Sequence, residues 1–261
     1  MCTLIAGVGV LGPGTLVLGA NRDESPERPT AGPGVLTESP RVVGGRDLLS
    51  GGTWLAVRED RFVSALMNRR PAPDDTRELS AFRSRGLLCL DAAASPALEG
   101  APHAIDPGTG ERHSPLLTAA LRLIDRDAYA HCTLVGLGTN GEAWAIHAGH
   151  GRGPDVTLIA AGWHVVTHAD VDDPNEPRAR WLLRRLQAAR PADVAEAFDI
   201  MKGLLQTHGE DGSPPVCLHR ERFPTVSSSL LALGALASPR YLHAAGPPCT
   251  TRYEDRSDLL A

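Results

Sequence analysis

The sequence predicts an α+β fold with largely antiparallel sheets, because strand patterns open the chain, a block of helical patterns occupies the middle, and more strands and helices follow in runs without strict βαβ alternation. Of its 261 residues, 42% are hydrophobic, enough for a substantial core. No repeat, low-complexity tract or linker divides the chain, so one domain over residues 1–261 is expected.

Apolar runs at Thr3–Val10 and Thr15–Ala20 flank Gly12-Pro13-Gly14 and read as a buried hairpin. Asn21 to Ser50 is polar and rich in proline and glycine, which predicts a long ordered loop. Thr53–Val57 and Arg61–Met67 form a second hairpin around Glu59-Asp60 that ends on Asn68. Ser80–Ala94 and Pro115–Ile124 have helical spacing of apolar residues. Cys132–Leu137 and Ala143–Ala148 flank an Asn-Gly turn, and Val156–Ala160 and His164–Thr167 extend the strand run. Asp173-Pro174-Asn175-Glu176 offers an acidic N-cap and a proline at the first helical position, announcing a helix towards Arg190. Pro191 restarts a helix to about Leu205, and Val226–Leu233 and Tyr241–Ala245 are the last strands.

A formal charge of −5 lacks the positive field of a nucleic-acid binder, and no polyanion partner is expected. Lys202 is the chain's one lysine and precedes glycine inside a helical pattern, which excludes a P-loop. The five cysteines are odd in number, scattered and never in a Cys-x-x-Cys pair, so neither a disulfide framework nor a zinc ribbon is expected and a cytoplasmic, reducing compartment is. The apolar start has no basic leading region and is cut by Gly-Pro-Gly, and no uncharged stretch reaches the length of a membrane span.

Gly7-Val8-Gly9-Val10-Leu11-Gly12 matches a dinucleotide fingerprint, but Pro13-Gly14 and a strand follow where a helix belongs, so these glycines read as a hairpin turn. His164 and His168 are separated by β-branched residues without a general-base glutamate, and His131-Cys132 and Cys217-Leu218-His219 lack further ligands at regular spacing; no metal site is expected. Asn21-Arg22-Asp23-Glu24 is more informative. It ends a buried strand that the first hairpin brings back beside Cys2. If Met1 is removed, Cys2 carries a thiol and an α-amino group, and the amine, with a pKa of roughly 7.7–8.0, can serve as the thiol's general base. Arg22 would favour the thiolate, and Asp23 would hold the amine through a charge-assisted hydrogen bond. Asn68, at a strand end, suits either an oxyanion-hole donor or a turn cap.

Met1-Cys2, Ala20-Asn21-Arg22-Asp23-Glu24 with Arg28-Pro29, Gly51-Gly52-Thr53-Trp54-Leu55, Ala65-Leu66-Met67-Asn68 and Ser84-Arg85-Gly86 together resemble the NRDE family, also called the transport and Golgi organisation 2 family. The similarity continues more weakly through Gly162–Thr167, Asp172-Asp173-Pro174 and Thr225–Ser229. The resemblance implies a four-layer αββα Ntn-hydrolase-like sandwich, two antiparallel sheets between helix layers, related to enzymes in which an N-terminal cysteine cleaves amides. It implies Cys2 as nucleophile, with Arg22, Asp23 and Asn68 as the other catalytic candidates and Asn21, Glu24 and Trp54 as substrate contacts. Where many relatives have Gly-Thr-Arg-Ser, this chain has Pro224-Thr225-Val226-Ser227, which removes an arginine from that position.

Two functions follow. The first is a cofactor-free hydrolase of the amide bond of a small substrate with an apolar acyl group. The second is a non-catalytic binding or trafficking protein for haem or acyl-lipid cargo, with Cys2, His164 or His168 as an iron ligand. The sequence indicates no oligomeric state.

Overall fold

The computed structural model describes residues 2–59, 61–70, 78–96, 104–105, 112–149, 152–209 and 212–261. Among these residues the elements follow in the order β1 (Thr3–Val8), β2 (Thr15–Asp23), β3 (Thr30–Glu38), β4 (Arg41–Asp47), β5 (Leu55–Arg58), β6 (Phe62–Asn68), α1 (Arg85–Ala93), β7 (Ala104–Ile105), β8 (Arg112–His113), α2 (Pro115–Arg126), β9 (Cys132–Gly138), β10 (Ala143–Gly149), β11 (Arg152–Leu158), β12 (Gly162–Val166), α3 (Pro177–Ala188), α4 (Val194–Leu205), β13 (Thr225–Gly234), β14 (Arg240–Ala244) and β15 (Glu254–Asp255). Apart from the small β7–β8 pair, the strands form two antiparallel sheets. One is ordered β12-β1-β2-β13-β14-β15, and the other β11-β10-β9-β6-β5-β4-β3.

Period-two alternation sorts the side chains into three packed layers. Leu4, Ala6, Leu16 and Leu18 meet Val57, Val63, Ala65 and Val135 between the sheets. The opposite face of the first sheet packs Ile5, Val17 and Leu230 on Leu182, Leu186, Phe198 and Met201 of α3 and α4. The outer face of the second sheet packs Phe62, Leu134 and Ile146 on Leu88 and Ala92 of α1 and Leu116 and Leu117 of α2. The result is the four-layer αββα sandwich that the resemblance implies.

The first hairpin forms as expected, and the glycine-rich segment is its turn: Gly9, Gly12 and Gly14 all have positive φ between β1 and β2. Two expectations fail. Residues 21–50 are not a long loop, because β3 and β4 pair there along the edge of the seven-stranded sheet. Their prolines fit: Pro33 falls in the register shift between Ala31 and Gly34, and Pro40 in the turn. The helix expected from Asp173 begins one turn later. Asp173 closes a turn with Glu176, and Glu176 caps the helix by accepting from the Ala179 amide at 2.6 Å, with Pro177 in the first position.

Candidate active site

The β1–β2 register sets Thr3 opposite Asn21, which brings Cys2 alongside Arg22 at the open end of the hairpin. Cys2 packs against the layer between the sheets, and its Sγ lies 3.9 Å from the Asp23 carbonyl oxygen. It opens into a cavity of about 400 Å³ lined by Arg22, Glu24, Trp54, Leu66, Asn68 and Arg85, among others. Burial, and then the Asp23 charge, raise the Cys2 pKa above that of a free thiol; Arg22 pulls the other way but is outweighed. The group is therefore a thiol in need of a base, whereas Arg22 alone was expected to favour the thiolate.

The four polar residues that end β2 have divided roles. Arg22 faces the cavity, with its guanidinium carbon 4.1 Å from the centroid of a Trp54 ring and its Nη2 3.8 Å from Glu24. Glu24 also lies 3.9 Å from Arg28, and Arg28 is bound to Asp47 at 2.5 Å. Asn21 does not line this cavity. Strand alternation turns its side chain towards α4, where Nδ2 donates to the carbonyls of Leu205 (2.9 Å) and Val216 (3.1 Å), so it holds the strand in place and does not meet a ligand there.

The Asp23 side chain is fully buried on that same far side. Thr225 donates to its Oδ1 at 2.7 Å, and Arg178 approaches its Oδ2 at 3.8 Å while donating to Thr3 Oγ1 at 2.8 Å. Burial raises the Asp23 pKa, against the pull of Thr225 and Arg178. Asp23 thus brackets the start of β1, its carbonyl near the Cys2 sulfur and its carboxylate linked to Thr3 through Arg178. Arg178 carries no local signal in the sequence, and Thr225, though it lies in the Thr225–Ser229 segment of the resemblance, reaches the site only through the pairing of β13 with β2.

Asn68 ends β6 with its side chain exposed to the cavity and without a hydrogen-bond partner among the described residues. Across the cavity stands the first turn of α1. Its N-cap residue Ser84 makes no side-chain capping bond, and Arg85 donates to the His131 carbonyl at 3.0 Å. No carboxylate among the described residues pairs with Arg85, and burial lowers its pKa. Arg85 belongs to the Ser84-Arg85-Gly86 motif, which is the sequence signal for this cation. Thr53 donates its amide to the Gly86 carbonyl at 3.0 Å, fastening the Gly51–Leu55 segment to α1.

The histidines considered as iron ligands do not join this constellation. His164 Nδ1 is 2.6 Å from Asp172 and Nε2 is 3.0 Å from the Ala160 carbonyl. Burial opposes its charge, but Asp172 and Ala160 outweigh burial and hold its pKa above the ordinary value. His168 does not line the cavity either.

The chain folds as an αββα sandwich of the Ntn-hydrolase-like kind, with Cys2 immediately before its first strand. Residues 1–102 match the profile of the family described as Transport and Golgi organisation 2, which bears out the NRDE resemblance over that segment. Among solved structures, the N-acylethanolamine-hydrolyzing acid amidase (NAAA) ortholog of Caenorhabditis elegans is similar with a TM-score of 0.59 at 15% identity, over 88% of this chain and 92% of that one. Penicillin V acylase from Agrobacterium tumefaciens is similar with a TM-score of 0.58 at 11% identity, over 99% of this chain and 88% of that one. These likenesses concern the fold. No curated protein matches the sequence. Among the described residues, no helix is long and apolar enough to cross a membrane.

Proposed function

We propose that the chain is an N-terminal-cysteine amidohydrolase acting on small N-acyl amides. The observation that carries the proposal is the meeting of Cys2, Arg22 and the Asp23 main chain at the mouth of one cavity. Hydrolysis of the Met1–Cys2 peptide bond would free the Cys2 α-amine, the base that a thiol of raised pKa requires. The amine takes the S–H proton, the sulfur attacks the acyl carbon, and Asn68 donates to the oxyanion. The C–N bond then breaks, the departing nitrogen takes the proton from the α-ammonium, and water hydrolyses the thioester to a carboxylic acid and the free thiol. The acyl chain rests on Trp54, Leu66, Phe82 and Ala130, and a carboxylate on the amine portion meets Arg85. This narrows the substrate to an N-acyl amide bearing an anionic group, such as an N-acyl amino acid.

The test combines intact mass, alkylation of the native protein and turnover of an N-acyl amino acid panel. The expected results are loss of Met1 and alkylation of Cys2 ahead of Cys89 and Cys132, which are fully buried with pKa values pushed up to about 12. Cys2→Ala should lower turnover by about 10³-fold or more at an unchanged melting temperature. Retention of Met1, or an unaltered rate in Cys2→Ala, refutes the proposal.

A further inference from the structure

Four metal-ligating side chains that lie far apart in the sequence converge on the far side of the six-stranded sheet from the cavity. They are His208, just beyond α4, Cys217 and His219 in the connection to β13, and Cys249 beyond β14. Their ligand atoms all lie within 4.8 Å of one another. Cys217 Sγ is 3.5 Å from Cys249 Sγ and 3.9 Å from His219 Nε2, and His219 Nε2 is 3.2 Å from Cys249 Sγ. The His208 and His219 rings meet edge to face with centroids 4.9 Å apart. For bonds of about 2.3 Å to sulfur and about 2.0 Å to nitrogen, the edges of a tetrahedron are roughly 3.3–3.8 Å. The separations among Cys217, His219 and Cys249 fall around those values, and rotations of the two exposed histidines would close the remainder.

We propose that His208, Cys217, His219 and Cys249 form a tetrahedral zinc site of the structural kind. Two thiolates and two imidazoles select zinc over magnesium or calcium, and four protein ligands leave no open position for catalysis. The site also meets a need of the fold. The connection from Gln206 to Pro224 has no α-helix or strand among its described residues, yet Val216, Cys217 and Leu218 are almost wholly buried. Connections of that length without regular structure are uncommon in compact proteins unless something else holds them. This one reaches the candidate active site directly. The Val216 carbonyl accepts from Asn21, and the Leu218 amide donates at 2.9 Å to Thr225 Oγ1, which in turn donates to Asp23. A metal joining this connection to the ends of α4 and β14 would fix the wall that orients Asp23, and Cys217-Leu218-His219 would cease to be an isolated pair.

The test uses the full chain, kept reduced and dialysed against metal-free buffer. Elemental analysis should find stoichiometric zinc, and replacement by Co²⁺ should give near-ultraviolet thiolate-to-cobalt bands with intense tetrahedral d–d bands. Cys249→Ser should weaken zinc binding by well over tenfold, since even loss of outer-shell partners costs about 10–100-fold. His208→Ala and His219→Ala replace exposed side chains, so they leave the core intact and should each change the cobalt spectrum. Cys2→Ala should keep its full zinc content, so a failure of the hydrolase proposal is separable from a failure of this one. Absence of zinc together with a featureless cobalt spectrum overturns the site. So does a cobalt spectrum that survives both Cys249→Ser and His219→Ala, or a Cys217–Cys249 disulfide in the freshly isolated protein that no reductant converts to a metal-binding form.

Discussion

Gly52 joins the fold to the candidate site at one atom's width, which makes Gly52→Ala the sharpest perturbation. A Cβ there would lie 2.2 Å from the Gly86 carbonyl carbon, 2.5 Å from the Leu87 nitrogen and 2.6 Å from the Gly86 oxygen. All three are backbone atoms of the first turn of α1, so no rotamer change relieves the overlap. Real Cβ contacts stay above 3.0 Å, so the two backbones must part by about 0.8 Å or more. Such overpacking costs about 1–3 kcal/mol, and the rigidity of both partners places this case at the upper end. Stretching the 3.0 Å bond from the Thr53 amide to the Gly86 carbonyl adds about 1 kcal/mol. The expected loss is about 3–4 kcal/mol, read as a lower urea midpoint, with a rise in KM because Arg85 and Trp54 move apart. Two neighbours are controls. Gly51→Ala meets no atom within 4 Å but has a φ of +75°, which costs about 1–2 kcal/mol. Gly86→Ala comes no closer than 3.1 Å to its neighbours and gains about 1 kcal/mol of helix propensity, so it should be near neutral. A Gly52→Ala protein no less stable than Gly51→Ala, with unchanged KM, would refute the reasoning.

Arg85→Gln should raise KM for an anionic N-acyl substrate by roughly 10–100-fold, the worth of one hydrogen bond to a charged group, with little change for a neutral amide of the same acyl chain; steady-state kinetics on the matched pair decide, and an equal loss on both counts against anion recognition. Arg178→Ala should cost about 3–5 kcal/mol in urea unfolding, because it removes a cation 3.8 Å from the buried Asp23 carboxylate, and Arg178→Ala combined with Asp23→Asn should recover part of that loss; a mild single-variant effect argues that the other partners of Asp23 suffice. His243 is buried beside Ser229, and burial, then Arg256, push its pKa down to about 4. The unfolded chain therefore takes up a proton near pH 6.5 that the folded one refuses, so this contribution is complete above about pH 6.5 and falls away towards pH 4 by up to about 3 kcal/mol. Denaturation at a series of pH values should show that slope in the parent and a flatter one in His243→Gln; identical slopes would remove His243 from the account.

What could be read from the sequence, and what could not, divides along the range of the interactions. The β1–β2 hairpin announces itself because its turn glycines and flanking apolar runs are contiguous, and with it comes the meeting of Cys2 with Arg22 and Asp23, only two strand lengths away. The β3–β4 pair was hidden because proline and glycine content cannot distinguish a loop from an edge strand, where a bulge at Pro33 and a turn at Pro40 need no ladder donors. Asp173 and Glu176 each precede a proline, and only packing of α3 on β12 selects the second as the cap. The sidedness of β2 follows from its period of two, yet which side is cavity depends on β13 pairing with it across some two hundred residues; hence neither the turn of the Asn21 side chain towards α4 nor the contacts of Asp23 with Thr225 and Arg178 can be read from the local sequence. The Cys-His cluster is the limiting case. Its ligands are spread from residue 208 to residue 249, and the last arrives only after β13 and β14 have paired, so no local spacing rule can collect them. Because that same β13 carries Thr225 to Asp23, the pairing that completes the support of the candidate active site also assembles the proposed metal site, and a ligand variant that loosens the connection should be felt at Asp23 through Leu218 and Thr225 before it is felt at Cys2.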